Sequence, residues 1–122
     1  MIPVTLTGVA LVALGGAAGS VCRYLVSLAS IGMLGAGFPW GTIAVNVLGS
    51  AAIGVAASLE LEGPLRLLVI PGFLGGFTTF SAFSLETGAL FERSPAVAVA
   101  YVVGSVALGV AAFAASYALM RR

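Results

Sequence analysis

Four apolar runs, each long enough to cross a bilayer, take up most of this 122-residue sequence. A membrane helix needs about 20 predominantly apolar residues. The runs extend over about 4–30, 40–59, 65–91 and 95–120, with short connections at 32–39, 60–64 and 92–94. Connections this short make successive runs antiparallel. Hydrophobic residues are 61% of the chain and charged residues 7%. A soluble domain of this size has too much surface for its volume to hide that much apolar area. The expected fold is therefore all-α and integral to the membrane, a single four-helix transmembrane domain over residues 1–122 in contact with lipid. Pro39, Pro64 and Pro95 each suit a first helical turn, where the missing N–H costs nothing. Met1-Ile2-Pro3 carries no basic n-region, so no cleaved signal peptide is expected.

Several function classes drop out on composition. A formal net charge of +1 offers no basic patch, so no nucleic-acid partner is expected. The chain has no histidine and one cysteine, Cys22, which excludes Cys/His metal clusters, disulfide scaffolds and Cys/His catalysis. No nucleophile has a plausible base and no acids pair in the apolar runs, so an enzyme is not expected.

The third run contains an unusual stretch, Gly72-Phe73-Leu74-Gly75-Gly76-Phe77-Thr78-Thr79-Phe80-Ser81-Ala82-Phe83-Ser84-Leu85-Glu86. Glycine in a helix interior costs about 1 kcal/mol against alanine, and Gly75-Gly76 sets two together. A helix that breaks in mid-membrane needs such weakness, provided its freed backbone groups are buried in protein or bind something. The competing reading is a glycine-weakened helix packed tightly on a neighbour. On the first reading the break spans Gly75–Thr79 and strands neutral carbonyl oxygens, which suit a weakly held monovalent cation.

Polar residues recur at helical spacing in the other runs. Thr42, Asn46 and Ser50 share one face of the second. The Asn46 amide carries two donors that need partners, either as interhelical glue or facing a water-filled path. Tyr101, Ser105 and Gly109 repeat the spacing in the fourth run. In the first, Gly15 and Gly19 form a small-xxx-small pair suited to close helix contact. Arg23, deep in that run, has three placements open to it: snorkelling to headgroups, lining a vestibule, or pairing with Glu86. Arg66, Arg121 and Arg122 stand on one side of the membrane and Arg23 and Arg93 on the other. That near balance barely sets an orientation, and a chain inserting both ways round is able to form an antiparallel dimer. The inventory is rich in weak hydrogen-bond donors and poor in charge. It suits replacing the water around a small anion, with the positive ring edges of Phe80 and Phe83 available as further donors or as packing.

The chain resembles the CrcB/Fluc family of fluoride channels along nearly its whole length. The matching runs are Gly15-Gly16-Ala17-Ala18-Gly19 through Arg23-Tyr24, Gly41-Thr42 with Val45-Asn46 and Gly49, and Gly75-Gly76-Phe77-Thr78-Thr79-Phe80-Ser81 through Phe83-Ser84 and Glu86. The resemblance implies a passive fluoride-selective channel in the bacterial plasma membrane, exporting the ion to relieve its toxicity. It implies a dual-topology antiparallel homodimer with two pores lined by Asn46, Phe80 and Phe83. It implies a structural Na+ at the dimer centre, held by the backbone carbonyls of Gly75 and Thr78. Matches to the family's polar track fall at Thr42, Ser84, Glu86, Tyr101 and Ser105. Gly109 departs from relatives that place serine there. Some relatives are paired homologues, so a heterodimer is an open alternative. A small multidrug-resistance exporter is the competing reading, but such exporters carry a carboxylate in their first membrane helix, and residues 4–30 contain no acid. A structural membrane subunit is the third.

Overall fold

The structure, a computed structural model, describes residues 4–121; Met1–Pro3, considered above as a possible signal start, and Arg122 lie outside the described residues. The elements are α1 (Leu6–Leu34), α2 (Trp40–Ser58), α3 (Gly63–Leu67), a π-helical segment (Leu68–Leu74), α4 (Gly75–Phe77), α5 (Phe80–Arg93) and α6 (Pro95–Met120). Helices α1, α2 and α6 and the composite Gly63–Arg93 are each long and apolar enough to cross a membrane. The four expected spans are therefore present.

Local chemistry sets their ends. Thr5 caps α1 by accepting from the Gly8 N–H at 3.0 Å. α1 passes the expected end at Ser30, because Ile31-Gly32-Met33-Leu34 continues the apolar run, and stops at Gly35. Gly35 adopts φ +81°, and its N–H closes the helix on the Ile31 carbonyl at 2.9 Å. At α6, Ser94 caps and Pro95 occupies the first turn, so the expected start holds.

The third span is irregular in two places. Pro71 has no N–H for an α-helical bond and its ring clashes with the carbonyl four residues back. The chain absorbs it in the wider π-helical turn of Leu68–Leu74. Further on, Thr78 (φ −88°, ψ 156°) and Thr79 (φ −150°, ψ 123°) are extended and separate α4 from α5. Gly75 and Gly76 are themselves helical, which corrects the expectation that the interruption begins at the glycines. Their neighbours explain why. A Cβ on Gly76 would collide with the Gly16 carbonyl, and one on Gly19 would collide with the Phe73 carbonyl and sit 2.8 Å from the Phe77 nitrogen. The glycines serve backbone-to-backbone contact between α1 and the third span.

α1 lies along the π-helical segment and α4, α2 lies along α6, and α5 packs on α6. Leu90, Ala98 and Tyr101 form a buried cluster with Phe38, Ile43 and Phe83 around it. Many Leu and Val side chains face outward, as the apolar surround of a membrane allows.

Candidate functional site

The extended pair Thr78–Thr79 is held by side chains from α2 and by its own hydroxyls. Asn46 bonds both backbone groups of Thr79: the Thr79 N–H donates to Asn46 Oδ1 at 2.9 Å, and Asn46 Nδ2 donates to the Thr79 carbonyl at 3.1 Å. One of the two amide hydrogens is thereby used and the other is left for a further acceptor. Thr79 Oγ1 accepts from the Ala82 N–H at 3.1 Å and so caps α5. Thr78 turns its hydroxyl back to the Leu74 carbonyl at 2.9 Å.

These bonds decide which carbonyls are released. In a continuous helix the Gly75 carbonyl would take the Thr79 N–H, and the Thr78 carbonyl the Ala82 N–H. Asn46 and Thr79 Oγ1 have taken those donors, so Gly75 and Thr78 lose their helical partners. The Gly76 carbonyl is treated differently. Arg23 Nε donates to it at 3.1 Å and Ser20 Oγ at 3.5 Å. The pairing of Arg23 with Glu86 weighed above is not formed. Arg23 instead finds a neutral backbone acceptor that the interruption exposes beside it.

Glu86 has its own partners. Its Oε1 accepts from Thr42 Oγ1 at 2.6 Å and from the Tyr101 hydroxyl at 3.3 Å. Tyr101 is 1% exposed, and its ring lies 5.1 Å from that of Phe83, which is 5.7 Å from that of Phe80.

Most of the sequence-derived residues line one of three hollows. A groove of about 230 Å³ is lined by Asn46, Phe80, Phe83 and Ser105, among others. A second, of about 340 Å³, carries Asn46, Gly75, Thr78 and Phe80. Thr42 and Glu86 line a third, of about 180 Å³, at the α1–α2 connection. Asn46 stands between the first two, while Glu86 of the third accepts from Tyr101, whose ring meets that of Phe83 in the first. Phe80 is 79% exposed and so presents its ring to the groove side rather than to the core. Ser105 Oγ is buried and finds no partner among the described residues, which leaves a polar atom beside the Asn46–Phe83 groove. Ser84 stands apart: it is exposed and donates to the Phe80 carbonyl of its own helix at 3.0 Å.

Two participants escaped the sequence reading. Thr79 sits inside the glycine-rich motif, and a threonine just ahead of a new helical run is a capping signal. Phe38 lies in a connection, where no helical spacing points to it; its ring packs edge-on against Tyr101 at 5.5 Å and 86°.

Residues 10–117 match the family described as CrcB-like protein, Camphor Resistance (CrcB). A Rhizobium johnstonii protein named fluoride-specific ion channel FluC is 55% identical over 117 residues, covering 91% of this chain and 94% of its own. A protein of the same name from Agrobacterium fabrum is 48% identical over 119 residues, covering 93% and 95%. One from Nitrobacter winogradskyi is 47% identical over 116 residues, covering 90% and 92%. With four membrane-spanning helices and matches of this extent, the chain belongs to the CrcB family of multi-pass membrane proteins.

Proposed function

We propose that this chain forms a passive fluoride-selective channel that lets the ion leave the cell, with its path along Asn46, Phe80, Phe83 and Ser105 and on to Thr42, Tyr101 and Glu86. The observation that carries the reading is the 55% identity, over 91% of the chain, to relatives named fluoride-specific ion channels. The geometry supports it chemically. A small anion leaves water only where donors replace its shell, and the groove offers a free Asn46 amide hydrogen, an unpartnered Ser105 hydroxyl and the rims of two phenylalanines. The carboxylate of Glu86 is engaged by two hydroxyls and is set back from the Asn46 groove.

Two chains, antiparallel, with two such paths, are part of the proposal. The nearly balanced arginines favour it, and each groove is open on one side and suited to closure by a second copy. The interruption at Thr78–Thr79 is then a mid-membrane break lying against the subunit boundary. The released carbonyls of Gly75 and Thr78 fit a monovalent cation: both are neutral oxygens, both residues line the same hollow, and two copies offer four such oxygens. Na+ held there supplies positive charge to the stranded C-terminal half-turn of α4 and ties the subunits together. Binding only to the assembled state, it stabilises by mass action. Replacing Na+ with N-methylglucamine is therefore expected to lower the thermal midpoint of the purified protein, and readdition to restore it. An unchanged midpoint over a wide Na+ range contradicts the site.

The pore assignment is tested with Phe80→Ile and Phe83→Ile in proteoliposomes. A volume-conserving apolar swap costs less than about 1.5 kcal/mol in stability. If the ring edges solvate the ion, fluoride efflux falls much further than stability does. Unimpaired efflux with a lowered melting point assigns both rings to packing.

A further inference from the structure

We propose that the α1–α2 connection Gly35–Pro39 is a strap, latched by Arg93, that fixes Tyr101 and through it Glu86, so that Phe38 and Arg93 are positioning residues for ion flow. This rests on the channel reading above.

Gly35-Ala36-Gly37 has almost no side chain with which to hold itself, and no atom approaches within 4 Å of a Cβ placed on either glycine. Besides its own backbone bonds, Arg93 and the packing of Phe38 hold the segment. Arg93, the last residue of α5, donates from Nη1 to the Gly37 carbonyl at 2.9 Å, across 56 residues of sequence. Next to that carbonyl, Phe38 packs on Trp40 with centroids 4.7 Å apart and edge-on against Tyr101. The strap so placed walls the 180 Å³ hollow that contains Thr42 and Glu86.

Tyr101 is the element the strap acts on. Its ring contacts those of Phe38 and Phe83, and its hydroxyl reaches Glu86 Oε1 at 3.3 Å. That is beyond the usual O–H···O range of 2.5–3.0 Å, so a small shift of the ring makes or loses the bond. Thr42 alone, at 2.6 Å, then orients the carboxylate. A ring filling core volume would affect stability whatever the state of the Tyr101 hydroxyl. A ring that aims this hydroxyl loses its influence once the hydroxyl is gone.

The test is a double-mutant cycle on fluoride efflux from proteoliposomes, with assembly checked by size-exclusion chromatography. Phe38→Leu is expected to lower efflux about tenfold, within the range for coupled neighbours. In a Tyr101→Phe background it is expected to lower efflux less than about twofold. Equal losses in both backgrounds, or none in either, overturn the strap. Arg93 is exposed and supplies a second arm should Phe38→Leu fail to assemble. Arg93→Ala is expected to lower efflux as Phe38→Leu does and, like it, by less than about twofold in a Tyr101→Phe background. An equal loss from Arg93→Ala in both backgrounds assigns the effect to charge and overturns the latch. Absence of efflux from the unsubstituted protein instead overturns the channel reading itself.

Discussion

Asn46→Asp is expected to abolish fluoride efflux. Two effects act together. A carboxylate replaces the free amide hydrogen with a like charge. Two unit charges at about 4 Å in an effective dielectric of about 20 repel by about 4 kcal/mol, close to a thousandfold in rate. The substitution also strikes the interruption. Asn46 Nδ2 donates to the Thr79 carbonyl, and an ionised aspartate presents an oxygen there instead. A carbonyl left without its partner costs about 1–3 kcal/mol, so the melting temperature falls as well. The other bond, from the Thr79 N–H, survives because Asp retains an acceptor. The expected result is an assembled but less stable protein with no measurable flux. Efflux at the unsubstituted rate from assembled Asn46→Asp protein removes Asn46 from the path.

The second large effect is structural. Gly19→Ala and Gly76→Ala are expected to prevent assembly or to destabilise by more than about 3 kcal/mol, above the usual range for overpacking. In both cases the added methyl meets backbone: the Phe73 carbonyl for Gly19 and the Gly16 carbonyl for Gly76. Side chains swing aside, but two helices in backbone contact can only separate, and separation would pull the Gly76 carbonyl away from Arg23 and Ser20. Gly32→Ala is the control. It is helical with no atom within 4 Å of the added Cβ, and gains up to about 1 kcal/mol from helix propensity. Thermal melts of the three variants read the difference directly. A Gly76→Ala protein as stable as Gly32→Ala would contradict the packing of α1 on the third span.

The spans were legible because each depends on a summed property, apolar length, that tertiary context rarely overturns. The start at Pro95 was legible too, since Ser94 and Pro95 carry both the cap and the first-turn preference. The third span was legible as unusual but not in its mechanism. Glycine has two uses in a membrane helix, weakness and close approach, and spacing does not separate them. The separating fact is the partner: across α1 and the third span Gly15 meets Gly72, Gly16 meets Gly76, and Gly19 meets the Phe73 carbonyl. The interruption instead falls at Thr78–Thr79, where a capping hydroxyl and the Asn46 amide replace the lost helix bonds. Pro71 was visible in the sequence, but its consequence, a π-helical turn, depends on how the span closes around a missing donor. Arg23 has three placements open to it in the sequence, of which pairing with an acid is one. The partner is a backbone carbonyl, and no sequence pattern advertises that. The stripe Thr42, Asn46 and Ser50 was readable from helical spacing, yet its members divide: Thr42 serves Glu86, and Asn46 serves Thr79. The role of Phe38 was beyond reach because it depends on a connection folding back over α6.

The most direct measurement is fluoride release from liposomes carrying the purified protein, followed with an ion-selective electrode. No proton gradient is imposed, and chloride release is followed in parallel under the same potential. Rapid fluoride efflux driven by its own gradient, with chloride retained, is expected of a passive fluoride-selective channel. Fluoride retained under these conditions, or movement of either ion only when a proton gradient is imposed, would contradict it.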